Sequence, residues 1–432
     1  MDAIHAPRLH RAYFLVFFIF LFFTMGSSSL LAGSDVKTHQ ISSEVCKNCH
    51  KEIYQQWKGS MHAQSTALAD PIHATFYKKV VGSPTEEGVK HKASGKYPIC
   101  LQCHAPNAAV DKTTKLDAKP AYSEGVNCVV CHTLAKFKGT EGKNGKMLLG
   151  LKAYERSDLI QGPQGFNQEL SKLTAADDMF GGMPAGDDSK PNPHTQGALE
   201  IDGQKIPALP MEGNPGLMKT NAACMGCHDK RNNPHGVPLC QTGNEYAGSN
   251  VNCQSCHMPI AGGMADHGMS GGHGDAMLRR SVVFTLDASK QGDQLKTTVT
   301  MKNMQPHSLP TGAPFRNIFL KLSAYDNQGN LVWENASGHP GKEDSKAYFA
   351  YRLADEKGDP ALPPVATQLG LDSRLKPHEE RVLSYDIPAK GVVLVRGELF
   401  YNLLWPVLVE KFTHLPAELT APKSIAVSEV KI

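Results

Sequence analysis

Five copies of the pattern Cys-x-x-Cys-His hold two thiols and an imidazole at one fixed spacing. The copies are CKNCH, CLQCH, CVVCH, CMGCH and CQSCH. In this pattern the thiols can add across the vinyl groups of one haem, and the adjacent histidine then lies beneath the iron. The sequence therefore predicts five covalently attached haems c. The predicted attachment thiols are Cys46, Cys49, Cys100, Cys103, Cys128, Cys131, Cys224, Cys227, Cys253 and Cys256, and the predicted proximal iron ligands are His50, His104, His132, His228 and His257.

Other sites built from cysteine pairs explain the pattern less well. A zinc knuckle, a thioredoxin-like redox pair or a disulfide staple does not require histidine at the next position, and all five copies have it. Zinc would also combine two cysteine pairs into one tetrahedral site, which leaves the fifth pair without a partner. Haem attachment is the interpretation that uses all five copies.

A haem iron has a second axial position, and further histidines are predicted to fill it. His62 follows Trp57 in the string WKGSMH, and His194 is the only histidine between His132 and Cys224. His267 and His273 lie in a glycine-rich stretch after the fifth motif, where methionines make a copper site the alternative. His307 lies between two prolines in the C-terminal part, as a rigid projecting ligand would. His39, His73, His91 and His235 are also available in the haem region.

The first residues have the features of a secretory signal. Arg8 and Arg11 precede an apolar run, and small residues follow it, so residues 1–32 are predicted to be a signal peptide cleaved near Ala32. An uncleaved N-terminal anchor is the alternative, and no other stretch is long and apolar enough to span a membrane. We therefore expect an exported protein, periplasmic, extracellular or at the cell surface. The net charge of +3 gives no indication of nucleic-acid binding.

Two regions of different character follow the signal. Residues 33–278 are rich in Gly, Pro, Asn and Lys and show little periodicity, so we predict a haem-packed domain of helices and loops whose interior is largely porphyrin. Residues 279–432 contain alternating runs with β-branched and aromatic residues, and DNQGN at Asp326–Asn330 is a hairpin turn signal. The predicted fold class is mixed, an α/loop multihaem cytochrome domain followed by an antiparallel β-sandwich.

Two pairs of motifs have nearly the same internal spacing. Cys100 and Cys128 lie 28 positions apart, Cys224 and Cys253 lie 29 apart, and both pairs close on Val-Asn-Cys-x-x-Cys-His. This similarity indicates a repeated two-haem unit, within which we expect the haems to stack. Cys240 is the eleventh cysteine and belongs to no motif; we expect it to be buried and unreactive.

Several strings resemble those of exported multihaem cytochromes c related to the tetrahaem cytochromes and hydroxylamine oxidoreductases. They are WKGSMHAQS, EGVNCVVCH, the block from CMGCH to CQSCHMP, and PHSLPTG, and together they cover about Glu44 to Asn317. The resemblance implies five bis-histidine haems, with His62, His194, His267, His273 and His307 as distal ligands. Pentahaem nitrite reductases carry Lys in place of the histidine of one motif, whereas all five motifs here have His. This difference argues against nitrite reduction. Hydroxylamine oxidation would require a crosslinked catalytic haem and more haems than this chain attaches.

The expected function is electron transport in anaerobic or extracellular respiration. Bis-histidine ligation leaves no open iron position, so such a protein exchanges electrons with other cytochromes or a quinol-oxidising complex without binding a substrate. Whether the chain is also an enzyme stays open, because one haem without a distal ligand would allow reduction of a small nitrogen or sulfur oxyanion. A weaker alternative is a surface assembly module, and oligomers are compatible with the sequence.

The attachment count is directly measurable. A pyridine haemochrome assay on the purified holoprotein is expected to give five haems per chain, because each Cys-x-x-Cys-His motif binds one haem. A count of four haems per chain would mean that one of the five motifs attaches no haem.

Overall fold

The structure is a computed structural model that describes residues 36–164, 192–195, 197–201, 203–248 and 251–432. The predicted signal peptide lies outside these residues. Residues 39–432 form one unit. In the described part of the chain, no helix is both long enough and apolar enough to cross a membrane.

Short helices carry the attachment motifs. The longest helix described in the haem region, Pro71–Val80, has ten residues. Asn127 and Asn252, the residues before the third and fifth motifs, cap their helices by accepting hydrogen bonds from the backbone N–H groups of Val130 and Ser255. The shared Val-Asn-Cys string is therefore a helix start signal. Helices up to the β-domain are Ser43–Lys47, Lys51–Lys58, Pro71–Val80, Leu101–His104, Pro106–Asp111, Pro120–Ser123, Cys128–Cys131, Pro215–Met218, Ala222–His228, Thr242–Glu245, Cys253–His257 and Asp275–Arg279.

In the described part of the haem region, ten short strands form two-stranded ribbons between these helices. All the ribbons are antiparallel except β3 with β6, which pair in parallel. The strands are β1 (Leu134–Phe137), β2 (Tyr154–Arg156), β3 (Ile160–Gly162), β4 (Leu199–Ile201), β5 (Gln204–Ile206), β6 (Met211–Gly213), β7 (Arg231–Asn232), β8 (Pro238–Cys240), β9 (Ile260–Ala261) and β10 (Met264–Ala265). A ribbon of two strands buries little apolar area, so these elements depend on what they enclose.

The C-terminal part contains two antiparallel sheets. One has the order β11-β12-β17; the other has the order β16-β15-β13-β18-β19, with β14 also paired to β13. Their strands are β11 (Val282–Gln291), β12 (Gln294–Asn303), β13 (Asn317–Tyr325), β14 (Leu331–Glu334), β15 (Tyr348–Ala354), β16 (Gln368–Asp372), β17 (Glu380–Pro388), β18 (Leu394–Asn402) and β19 (Lys423–Lys431). Short helices Pro340–Glu343, Pro406–Lys411 and Ala417–Thr420 interrupt them.

The largest apolar core lies between these sheets. Leu383, Tyr385 and Ile387 are buried on β17 while the residues between them are exposed, which is the alternation of a strand with one buried face. Leu320 of β13 and Leu399 of β18 belong to the same core on the opposite sheet. The predicted hairpin is confirmed, because Asp326–Asn330 connects β13 to β14 with Gly329 at a φ of +82°. The mixed fold class with a C-terminal antiparallel sandwich is confirmed.

The apolar clusters described in the haem region are small and separate. Tyr54, Trp57 and Ala63 form one of them, and the indole of Trp57 donates to the carbonyl of Val126. Ile72 of the haem region belongs to the core of the β-domain. This contact joins the two parts of the chain through packed side chains.

Candidate haem-binding sites

Four predicted proximal histidines each face a second histidine ring. The ring centroids are 6.2 Å apart for His50 and His194, 6.0 Å for His228 and His62, 6.4 Å for His132 and His267, and 6.5 Å for His257 and His307. Metal–imidazole bonds of about 2 Å on each side, plus the distance from each nitrogen to its ring centre, amount to about 6 Å between centroids. The four gaps therefore have the length that one axially ligated iron requires.

Backbone carbonyl groups fix the orientation of most of these rings. A hydrogen bond at Nδ1 makes that nitrogen the N–H donor and leaves the lone pair on Nε2 free for a metal. The partners of Nδ1 are the carbonyls of Ser65 for His104 (3.0 Å), Gln161 for His132 (2.8 Å), Ser270 for His257 (2.6 Å), Leu209 for His194 (2.6 Å), Ala265 for His267 (2.8 Å) and Ser308 for His307 (3.0 Å). Both members of two facing pairs, His132 with His267 and His257 with His307, are held in this way.

Burial keeps several of the facing rings uncharged. Desolvation lowers the pKa of His62 to about 4 and that of His228 to about 3. It also lowers the pKa of His50, His132 and His307. Neutral imidazole is the form that binds a metal, so these five rings are in the ligand form at neutral pH.

The second motif has a different arrangement. The centroids of His104 and His73 are only 4.1 Å apart, and the Nδ1 atoms of both rings lie within 3.0 Å of the carbonyl oxygen of Ser65. Two rings hydrogen-bonded side by side to one oxygen cannot lie on opposite sides of an iron, which requires a separation of about 6 Å. His73 therefore borders the second site without opposing His104. Its Nε2 atom is buried and has no hydrogen-bond partner.

His273 lies beside the β-domain. Its backbone carbonyl accepts a hydrogen bond of 3.0 Å from the ammonium group of Lys423, next to the β-domain. Desolvation, followed by the charges of Arg316 and Lys423, lowers the pKa of its ring to about 4. The geometry thus gives no support to the prediction of His273 as an iron ligand, and it brings His73 to an attachment motif instead. A sequence signal for His73 is its place on the helix capped by Asp70, four residues before the buried Tyr77.

Thiols of different motifs lie close enough to shift one another's pKa, which gives the spatial order of the motifs. The three pairs are Cys46 with Cys128, Cys103 with Cys227, and Cys224 with Cys253. The fourth motif therefore adjoins both the second and the fifth, and the first adjoins the third. The expected proximity within a repeated unit is found for the fourth and fifth motifs, whereas the second and third motifs each contact a motif outside their own unit.

The donor set fits haem better than a zinc or disulfide framework. None of the eleven cysteines is in a disulfide bond. Within the described ranges, no group of three or more His, Cys, Asp or Glu side chains could hold a metal ion. Two facing imidazoles supply two of the six ligands of an iron, and a macrocycle would have to supply the remaining four.

Arg231, three residues after His228, has a donor that fits a haem carboxylate. Its Nε donates to the carbonyl of Cys227 at 3.3 Å, and another guanidinium nitrogen donates to the carbonyl of Gly226. The remaining nitrogen is buried without a partner. An unsatisfied buried donor is costly, and a propionate group of a bound haem is an anion that would satisfy it.

Cys240, which belongs to no motif, lies on β8 opposite Arg231 of β7. Burial raises the pKa of its thiol. This shift agrees with the expected unreactive state, since the thiolate is the reactive form.

The distal positions can be tested with a matched pair of histidine variants. The substitution His307→Ala is expected to convert one haem of five to the high-spin state, because it removes the ring that faces His257. The substitution His273→Ala is expected to leave all spin states unchanged. Electron paramagnetic resonance of the oxidised holoproteins measures both. A new high-spin haem in the His273 variant, or none in the His307 variant, would contradict the geometric assignment.

Comparisons with known proteins agree with this geometry. The family model for cytochrome c554 and c-prime matches residues 45–133 and 192–258. A penta-haem cytochrome c552 from Thermochromatium tepidum is 60% identical, with a TM-score of 0.85, over 92% of this chain and 100% of that one. A DUF1425 family member from Shewanella sp. pv-4 aligns at 13% identity over 28% of this chain and 74% of that one, with a TM-score of 0.15 that carries no argument. No curated protein matches the chain. On the first two findings, the chain belongs to the family of multihaem c-type cytochromes, carries five covalently attached haems c and transfers electrons.

Proposed function

We propose that the chain is an exported electron relay in which four of the five haems have two histidine ligands. The observation that carries the proposal is the set of four facing rings at 6.0–6.5 Å. An iron closed on both sides exchanges electrons without binding a substrate. The proposed ligand pairs are His50 with His194, His228 with His62, His132 with His267, and His257 with His307.

The chain's own residues support a relay by holding the facing rings in fixed orientations. Bound haems supply the one-electron chemistry. Carbonyl groups of the backbone fix the orientation of the rings that face each other. A change in the oxidation state of a bound iron would therefore require no movement of its histidine ligands.

The contacts between motifs define a route with a junction. Cys46 adjoins Cys128, Cys103 adjoins Cys227, and Cys224 adjoins Cys253. The charge interactions of Cys131 also extend to Cys224 and Cys227, which links the third motif to the fourth. Electrons that enter at any motif can therefore pass through the fourth, and the proposed order is first to third to fourth, with branches to the second and fifth.

The setting of the relay is proposed from the sequence. The N-terminal signal pattern supports export to the periplasm or the cell surface. Thioether attachment also protects ten cysteines from oxidation outside the cytoplasm. The proposed partners are other cytochromes or a quinol-oxidising complex, and kinship with the tetrahaem cytochrome and hydroxylamine oxidoreductase group remains part of this proposal.

A second candidate function follows from the second motif. Because His73 does not oppose His104, we propose that the distal side of this haem is open to an exogenous ligand. Reduction of a small nitrogen or sulfur oxyanion at that haem is the reaction such a position allows.

Stopped-flow mixing separates the two candidates. The fully reduced holoprotein is mixed either with an oxidised soluble cytochrome c or with nitrite, hydroxylamine or sulfite under excess reductant. The relay predicts rapid oxidation of all five haems by the cytochrome and no multiple turnover of the small molecules. Sustained turnover of any of them would make the chain a reductase.

A further inference from the structure

The segment 71–122, which contains the second motif, is strongly cationic. It holds eight lysines and four carboxylates, a net charge of +4, whereas the whole chain has only +3. The following segment, 123–278, holds twelve basic and sixteen acidic residues, a net charge of −4. Charge is therefore separated along the haem region, with the positive part at the second motif.

Hydrogen bonds bring the lysines of three loops onto one surface. The ammonium group of Lys92 donates to the carbonyls of Lys78 and Lys79, at the end of helix Pro71–Val80. The N–H group of His91 donates to the carbonyl of Lys96. We call the surface formed by Lys78, Lys79, Lys90, Lys92, Lys96 and Lys115 the cationic surface.

The same hydrogen-bond network attaches the loop at Lys115 to this surface. The hydroxyl of Thr114 donates to the carbonyl of Glu86, and the N–H group of Val89 donates to that hydroxyl. The phenol of Tyr97 donates to the carbonyl of Thr113. The loops on both sides of Lys90 are therefore fastened to the loop that carries Lys115.

The carboxylates of Glu87 and Asp111 form no ion pair with the six lysines of the cationic surface. Glu87 accepts hydrogen bonds from the hydroxyl of Thr113 and from the backbone N–H groups of Thr114 and Lys115. Asp111 accepts from the side chains of Gln40 and Tyr122. Among the described residues, none of the six lysines forms an ion pair, and all six are exposed.

An exposed apolar residue lies where the attachment motif begins. Ile99 is 55% exposed and immediately precedes Cys100. An apolar contact surrounded by charge suits a transient interface, because the charges accelerate the encounter while the small apolar area keeps the complex short-lived. The lysines and Ile99 thus lie at the second motif. Its thiol Cys103 adjoins Cys227 of the fourth motif, which is the junction of the proposed route.

We propose that the cationic surface docks a small acidic electron-transfer protein, which exchanges one electron at a time with the haem of the second motif. This inference rests on the proposed relay, since it names the place where electrons enter or leave. One electron leaves the metal centre of the partner and reduces one haem iron, and no bond to the partner forms or breaks. The fourth motif then distributes the electron.

The test uses reduced plant-type [2Fe–2S] ferredoxin, an acidic protein donor, and the five-haem holoprotein. The charge-reversal variant carries Lys78→Glu, Lys79→Glu, Lys90→Glu and Lys96→Glu. The matched control carries Lys290→Glu, Lys302→Glu, Lys357→Glu and Lys390→Glu, four exposed positions of the β-domain. The second-order rate constant at low salt should fall at least about tenfold in the first variant and stay near wild type in the second. The difference should shrink as ionic strength rises.

Equal rates for the charge-reversal variant and the wild type, or equal losses in both variants, would overturn the docking surface. Reduction by a photogenerated flavin semiquinone, a small donor that needs no docking surface, distinguishes this failure from failure of the relay. All three proteins should be reduced by it and should pass electrons to an acceptor; if none does, the relay itself is wrong. Binding to anionic lipid vesicles that is lost with the lysines, without an effect on the ferredoxin rate, would assign the surface to a membrane and overturn the proposal.

Discussion

An iron held between two imidazoles requires both rings to be uncharged, aimed at each other and separated by one fixed distance. The structure meets these three conditions through different means. Burial removes the charge of His62 and His228, and backbone carbonyls aim rings such as His132 and His267. Segments far apart in sequence supply the two rings of a pair, as with His62 and His228. The fold of the haem region is therefore a consequence of where its ligands must meet.

This constraint explains why the haem region has so little core of its own. Its apolar clusters are small, and its longest helix has ten residues, while the β-domain has a continuous core between two sheets. Haem macrocycles supply the apolar surface that side chains supply elsewhere. His307 extends this dependence to the β-domain, because the loop between β12 and β13 brings it opposite His257. The sandwich thus packs beside the haem region and also contributes one side of the fifth site.

Much of the architecture could be predicted from local patterns. The five motifs predicted the attachment sites, and alternation with a turn signal predicted the sandwich and its hairpin at Asp326–Asn330. The distal histidines were harder, because a partner across a haem leaves no fixed spacing in the sequence. His267 and His273 both follow the fifth motif in a glycine-rich stretch, yet only His267 faces an attachment histidine. His73 belongs to no sequence motif that would have predicted its place beside His104. The proximity of Cys103 to Cys227 depends on long-range packing that sequence spacing does not encode.

The central claim is that four irons are closed by two histidines each, while the second is not. Quantitative electron paramagnetic resonance of the oxidised wild-type holoprotein counts low-spin and high-spin haems in one spectrum. The account predicts four low-spin haems and one high-spin haem, the latter at Cys100–His104. Five low-spin haems would contradict the open second site, and fewer than four would contradict the facing pairs as ligand sets.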